Sequence, residues 1–410
     1  MKNLKLLVVA LVAMFGFIAC DKHECNDYDH SADLVGTWTC LEAGYAEALV
    51  IKADGSALST GVEDGEYWEN VAGNIVVKNG IATMTFEDGD NFEGHIDVIA
   101  GMAFSIYNED GERMTYNYCA NDLADEIVGM WVCNDYSTGV ENDMVIQTFK
   151  EDGTVTKTGW SAASNEFIVN ETITYKVVGD LVFHQRPSEM VAEGAAAHFA
   201  SKLTYMPNAN QLGDMLTNTS IKVINGEAVE LSASMLRINQ SLNLAGKKYD
   251  YIKTFVSNVK GEDKDINFMG YTINFAKMDG SELDKLLKAI LFNVEFPDAN
   301  TLKYSYNYNN VKATLDAPIV VEGNKITIKM SKEVSTLKDV VLYAFQDADC
   351  SQLHFYMHKT AFVNFHTNMQ AKLMASMDEQ FDINNADAVN AIYNEINNAV
   401  QSINVSLVME

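Results

Sequence analysis

No Gly-x-Ser-x-Gly elbow, Walker loop, Cys-x-x-Cys or His-Glu-x-x-His occurs in the 410 residues, so the common nucleophile, phosphate-cradling, dithiol and zinc-protease templates are absent. Paired acids of the glycosidase type are not removed by this argument, because such pairs are recognised by their separation in space. Basic residues are also scarce. With 29 Lys and Arg against 57 Asp and Glu, the formal charge is −28. A surface of that sign repels phosphate backbones and anionic headgroups, which disfavours nucleic acid as a partner and electrostatic docking to a bilayer. Beyond residue 19 no stretch of 18 apolar residues occurs, so no later segment reads as a membrane span. Cysteine is sparse: five remain after Cys20, and an odd number argues against a complete disulfide framework.

What is present begins with Lys2 and Lys5, followed by an uncharged apolar run over residues 6–19 that stops at Cys20. The run is shorter than the ~20 residues a spanning helix needs, and a cationic start, short apolar centre and small residue before the cut are signal-peptide features. The stretch 21–31 is polar and aperiodic and reads as a flexible tether. Its His, Cys and acidic residues include the common metal-ligand types, but no scaffold fixes their geometry. Phe17-Ile18-Ala19-Cys20 resembles the lipobox of bacterial lipoproteins, with Phe17 in place of the usual Leu. The resemblance implies that residues 1–19 are a cleaved signal, that Cys20 carries the lipid, and that residues 20–32 form a lipidated tether. Several acyl chains on one residue suffice for stable anchoring. Acidic residues just behind the cysteine resemble the export signals of surface-displayed lipoproteins of the Bacteroidota. They imply an outer-membrane location, surface-exposed, with a periplasm-facing orientation as the alternative.

A length of 410 residues and 48% hydrophobic content fit two to four packed domains. An internal repeat organises the first two: Leu34-Val35-Gly36-Thr37-Trp38-Thr39-Cys40 returns as Ile127-Val128-Gly129-Met130-Trp131-Val132-Cys133. Each copy is followed by a strand, an Asp-Gly pair (Asp54-Gly55, Asp152-Gly153) and a second strand, a strong hairpin signal. The first unit continues through strands near 74–78, 81–86, 92–99, 103–108 and 112–119. Such a meander most economically closes on itself, which removes exposed edges. The second unit has strands near 172–176, 180–184, 197–205 and 228–238.

Gly-x-Trp in the first strand of a small antiparallel meander resembles the lipocalin superfamily, and specifically the lipocalin-like modules of Bacteroidota lipoproteins. The matching residues are Gly36 and Trp38, then Gly129 and Trp131. The resemblance implies a tryptophan closing one barrel end with an arginine from a late strand packed on it, for which Arg113 and Arg237 are the candidates; such a pair contributes about 0.5–2 kcal/mol. It leaves open whether either barrel encloses a cavity or is filled by its own side chains. From about residue 243 the texture changes to mixed strands and helices. Leu283, Leu286, Leu287, Ile290 and Leu291 make one helical stripe, with Ser281 and Asp284 as a capping box. Residues 362–377 and 389–400 make two more helices, and 403–408 a last strand. This part resembles the C-terminal region of uncharacterised Bacteroidales lipoproteins. The expected fold is mainly β: lipocalin-like barrels over 33–121 and 122–243, then an α+β domain over 244–410.

Candidate sites are few. In 353–358, alternation puts His354, Tyr356 and His358 on one face, read as a polar outward or cavity-lining stripe. His354 and His358 lie about 13 Å apart along a strand, too far to share one ion. Asp347, Asp349 and Cys350 read as turn formers. Cys40 and Cys119 lie in the first and last strands of the first unit and become neighbours on closure, where a disulfide would clamp the seam. The alternating Tyr304, Tyr306 and Tyr308, and Tyr67 with Trp68, offer stacking faces for a glycan, though packing explains aromatics equally well. No cofactor and no metal is expected. The sequence therefore reads as a non-enzymatic, lipid-anchored binding module for a small apolar or amphipathic ligand. A structural or adaptor lipoprotein of a glycan- or nutrient-uptake complex with outer-membrane partners is the first alternative, and a hydrolase the second.

Overall fold

The computed structural model describes residues 31–107, 113–133, 145–161, 166–191, 196–207, 209, 213–268, 271–278, 280–308, 311–347 and 349–410. The signal, Cys20 and most of the tether lie outside the described residues. The chain divides into two compact units, Met1–Asn121 and Asp122–Glu410.

The first unit is a closed antiparallel barrel of eight strands in sequential order: β1 (Gly36–Glu42), β2 (Tyr45–Ile51), β3 (Ser56–Glu63), β4 (Glu66–Lys78), β5 (Ile81–Phe86), β6 (Asn91–Ile99), β7 (Ala103–Tyr107) and β8 (Arg113–Cys119). Closure comes from β1 against β8, with Trp38 opposite Tyr118. The period-2 pattern turns Trp38, Leu49, Ile51, Ala57 and Phe104 inward into one core. At the β2–β3 turn the Asp54 carboxylate accepts from the Ser56 amide (3.0 Å) and hydroxyl (2.6 Å). Asp152 does the same for Thr154 in the second repeat (2.9 and 2.6 Å). The repeated Asp-Gly pair is thus hairpin chemistry in both copies.

The second unit holds two more closed eight-stranded antiparallel barrels. In the first of these, Gly129–Cys133 pairs on one side with Val145–Phe149 and on the other with Glu227–Ile238, placing Trp131 opposite both Gln147 and Arg237. The strand Met215–Ile224 was not anticipated; its Thr, Asn and Ser residues mask the alternation, yet it pairs along its whole length with Glu227–Ile238.

The C-terminal part is also a barrel, in which Lys247–Gly261 pairs with Leu291–Asp298 near one end and with Val400–Met409 along the rest. Helices α1 (Gly280–Ile290), α2 (Lys359–Met377) and α3 (Ala386–Ala399) accompany it, so the expected helices and strands share one closed architecture. A small separate hairpin pairs Ile266–Phe268 with Tyr271–Ile273. Helix α1 stops at Ile290, and Leu291 already belongs to a strand. Asp284 Oδ1 accepts from the Tyr251 hydroxyl (2.8 Å) and the Thr254 amide (2.6 Å), tying the helix to the barrel. Consecutive Ala361, Phe362 and Val363 of α2 are all buried, so this helix is enclosed rather than laid on one face. Helix α3 starts at Asn385, whose side chain accepts from the amides of Asp387 and Ala388.

Within the second unit the two barrels share a core. Val132, Ile146, Leu236 and Ile238 of one pack against Tyr343, Phe345 and Tyr356 of the other. Phe167 meets Tyr343 and Tyr356 edge-on at 4.5 and 5.4 Å. The connection between them is clamped by fully buried Gln346. Its Nε2 donates to the Asn243 carbonyl (2.9 Å) and the Tyr249 hydroxyl (2.7 Å), and its Oε1 accepts from the Asn243 amide (2.5 Å). Asn239 adds an amide bond to the Gln346 carbonyl and a side-chain bond to the Asp347 carbonyl.

Candidate functional site

The Gly-x-Trp strands take the same local form twice. Trp38 and Trp131 are fully buried, and each indole N–H donates to the carbonyl four residues earlier, Leu34 at 2.6 Å and Ile127 at 2.7 Å. Gly36 and Gly129 sit at φ +140° and +139°, where side chains are disfavoured. A Cβ at Gly36 would also overlap the Tyr118 ring. The residues over the two tryptophans differ. The Arg237 guanidinium lies 4.7 Å from the Trp131 ring centre and donates to the Glu126 carbonyl. In the first barrel the equivalent partner is Tyr118, edge-on to Trp38 at 5.1 Å. Arg113 stands at the other end of β8, opposite Tyr107, and donates to the Ser105 hydroxyl at 2.8 Å. The assignment of Arg113 to Trp38 is therefore corrected: five residues of strand separate it from the position beside the indole.

Cys40 and Cys119 are on adjacent strands but form no disulfide. Cys119 is opposite Thr37, so its three-residue offset from Cys40 puts the two thiols on opposite faces of the sheet. Cys119 Sγ donates to the Asn121 carbonyl at 2.9 Å. His354 and Tyr356 point out of the third barrel, as alternation requires, yet they are buried, because the second barrel covers that face at Tyr356. The polar stripe is thus an internal contact surface, with only His358 at its partly exposed end. Both His354 ring nitrogens lack hydrogen-bond partners among the described residues, and burial lowers its pKa to about 4. Asp347 accepts from the Ser351 hydroxyl and the Gln352 amide, which makes it the organiser of its turn.

The site that sequence reasoning missed is inside the first barrel, where a cavity of about 310 Å³ is lined from strands β2 to β8. Glu47 of β2 is 5% exposed and lines it. Its Oε1 accepts from the Ser59 hydroxyl at 2.5 Å; its Oε2 accepts from the Tyr45 hydroxyl at 2.6 Å and from the Tyr116 hydroxyl. Ser59 in turn accepts from the Trp68 indole N–H at 2.7 Å. Burial, and then the Glu47 charge, push the Tyr45 and Tyr116 phenols up in pKa, so both remain protonated donors. Trp68 reaches this position because Gly61 opposes it across β3 and β4: a Cβ there would collide with the indole and come within 2.7 Å of the Ala46 carbonyl. Met84, Phe86, Phe92, Ile106 and Met114 complete an apolar wall, while Glu63, Asp88 and Asp90 also line the cavity.

This arrangement is not a requirement of the fold. Aligning the two repeats through their strand registers puts Val145 at the position of Glu47, Lys157 at Ser59, Ile168 at Trp68 and Met235 at Tyr116. There Lys157 and Arg186 pair with Glu171 at 3.1 and 3.2 Å, and Arg186 lies 4.3 Å from the centre of the Phe199 ring. His184 stacks on the same ring, and burial with the Lys157 and Arg186 charges lowers its pKa to about 3. The sequence held one usable signal for Glu47. Alternation that sends Leu49 and Ile51 inward sends Glu47 inward too.

No family model matches the chain, and no curated protein matches it. Among solved structures, the chain is similar to a double mutant of transferrin binding protein B from Haemophilus parasuis, at 10% identity and a TM-score of 0.25; the match covers 89% of this chain and 65% of that one. The chain thus spans just under two thirds of that protein's length. A porin-like protein from Bacteroides uniformis matches at 10% identity and a TM-score of 0.12, over 48% of this chain and 93% of that one. A protein of unknown function from Nostoc punctiforme matches at 11% identity and a TM-score of 0.14, over 51% and 98%. At these scores the likenesses carry no functional argument, and the barrel architecture rests on the strand pairings themselves.

Proposed function

We propose that the chain is a lipid-anchored, non-catalytic envelope protein, held through Cys20 at the outer membrane and facing outward, whose first barrel binds a small amphipathic molecule. In this reading the three barrels are three domains, over 33–121, 122–243 and 244–410. The observation that carries the binding role is the Glu47 network facing a cavity in the first barrel, a network whose positions in the other repeat hold Val145, Lys157, Ile168 and Met235. A volume near 310 Å³ lies at the small end of ligand pockets, and a mostly apolar wall with a few convergent polar groups is their usual composition. The test is native mass spectrometry of the lipidated protein extracted from its own membrane, alongside Ile106→Trp, which fills the cavity. A retained small molecule present in the natural protein and lost in a folded Ile106→Trp supports the reading; equal ligand content in both removes it.

An adaptor role beside outer-membrane partners is favoured by a separate feature. Val35, Ile99, Met102 and Tyr118 are exposed around the Trp38 end of the first barrel, where the Tyr118 amide donates to the Met102 carbonyl. Crosslinking in intact membranes tests it: adducts that vanish with Met102→Glu support an adaptor, and adduct-free protein counts against one.

A further inference from the structure

Residues 33–121 contain 16 acidic and three basic side chains, Lys52, Lys78 and Arg113. None of the three lines the cavity, nor does any histidine. Among the described residues Glu47 has hydroxyl partners and no Lys or Arg partner. A carboxylate has about four acceptor directions. Three are taken, two on Oε2 and one on Oε1, which leaves one on Oε1. Glu47 is therefore a buried carboxylate whose hydrogen bonds are nearly complete and whose charge has no counterpart, an expensive arrangement in a protein interior. Tyr45, Trp68 and Tyr116 also line the cavity, with the two hydroxyls turned to Glu47 and the indole N–H to Ser59. Glu63, Asp88 and Asp90, lining the same cavity, raise the local concentration of cations and lower that of anions.

We infer that the molecule taken up by the first barrel is an organic cation, an ammonium group on an apolar body, with the ammonium at Glu47. The inference rests on the reading of the cavity as a binding site and adds the charge of its occupant. The ammonium supplies the missing counter-charge, and an N–H fills the remaining Oε1 direction. The apolar body then lies against Met84, Phe86, Phe92, Ile106 and Met114. The repeat fits this logic from the other side: the second barrel has Lys157 where the first has Ser59, a built-in cation next to its own acid, Glu171.

The test uses hexylamine, hexyltrimethylammonium, hexanol and hexyl sulfate, titrated into the full chain by calorimetry at high salt, where surface charge is screened. The two cations are expected to bind about tenfold or more tightly than hexanol, the scale of one charge-assisted contact with a buried carboxylate, and the sulfate not at all. Glu47→Gln, which keeps the shape, is expected to bring cations and alcohol to within about twofold of each other. Equal affinity for hexanol and the cations, tighter binding of hexyl sulfate, or an undiminished cation preference in Glu47→Gln overturns the charge assignment while leaving a binding site. Failure of all four probes in both the natural chain and Ile106→Trp overturns the binding reading itself. Unchanged thermal midpoints for Glu47→Gln and Ile106→Trp separate these results from misfolding.

Discussion

Acidification from pH 7.5 to 5 is expected to destabilise the second unit strongly through three buried histidines. His184, His354 and His366 have pKa values lowered to about 3, 4 and 3, in each case mainly by burial. Phe268 and Phe362 crowd the His366 ring at 4.2 and 4.3 Å, and neither His366 nitrogen has a hydrogen-bond partner among the described residues. In an unfolded chain each imidazole titrates near 6.5, so as pH falls the unfolded state takes up protons that the folded state refuses. Stability is therefore complete well above pH 6.5 and is lost on the way down towards the folded values. Integrating that difference from pH 7.5 to 5 gives about 2 kcal/mol per histidine, or about 6 kcal/mol for three, comparable with the whole stability of a typical domain. Asp347 acts in the opposite sense, since burial raises its pKa. The assay is urea denaturation of the full chain followed by hydrogen exchange in peptides of the second unit. His366→Leu is expected to recover about 2 kcal/mol of the loss at pH 5 and to flatten the profile by one proton. A profile flat from pH 7.5 to 5, or His366→Leu with the natural slope, refutes the argument that burial holds these rings neutral.

Other perturbations have equally direct readouts. Gly61→Ala is expected to destabilise the first barrel by about 1–3 kcal/mol through overpacking against Trp68, with a changed indole emission; an unchanged midpoint and spectrum would contradict the slot described for that ring. Gln346→Ala leaves the Asn243 backbone groups without their side-chain partners, and an expected loss of about 2–4 kcal/mol should appear in chemical denaturation of the second unit. Arg237→Met is expected to cost about 0.5–2 kcal/mol in the second unit by removing the cation from Trp131, while Arg113→Met leaves the Trp38 environment unaltered in near-ultraviolet circular dichroism.

Much of the architecture was legible because β structure writes itself at short range. The Asp-Gly pairs, the period-2 alternation and the repeated Gly-x-Trp located both early barrels. Met215–Ile224 escaped because Thr217, Asn218, Thr219 and Ser220 carry no apolar alternation, and pairing with Glu227–Ile238 is what makes it a strand. The closure of the third barrel was hidden for a different reason. It depends on Lys247–Gly261 meeting Val400–Met409 across some 150 residues, a long-range pairing with no local mark. The cavity was the least legible feature. Glu47, Ser59, Trp68 and Tyr116 are spread over three hairpins, and only the barrel's curvature brings their polar atoms within hydrogen-bonding distance. His354 and Tyr356 show the converse: the alternation was read correctly, but the neighbouring barrel decides that an outward side chain is nevertheless dry.

Closure of all three large sheets also limits how anything else can hold this protein. Along the closed part of each ring no row of main-chain groups is left unpaired, so an extended peptide has nowhere there to zip on as an extra strand. Among the described residues, open sheet borders include the short hairpin Ile266–Phe268 with Tyr271–Ile273, three residues per strand, and residues 227–234, where Glu227–Ile238 runs on beyond its pairing with Gly129–Cys133. A companion molecule that joins strand to strand is thus steered to such borders, and elsewhere it is left to grip side chains, turns and barrel mouths.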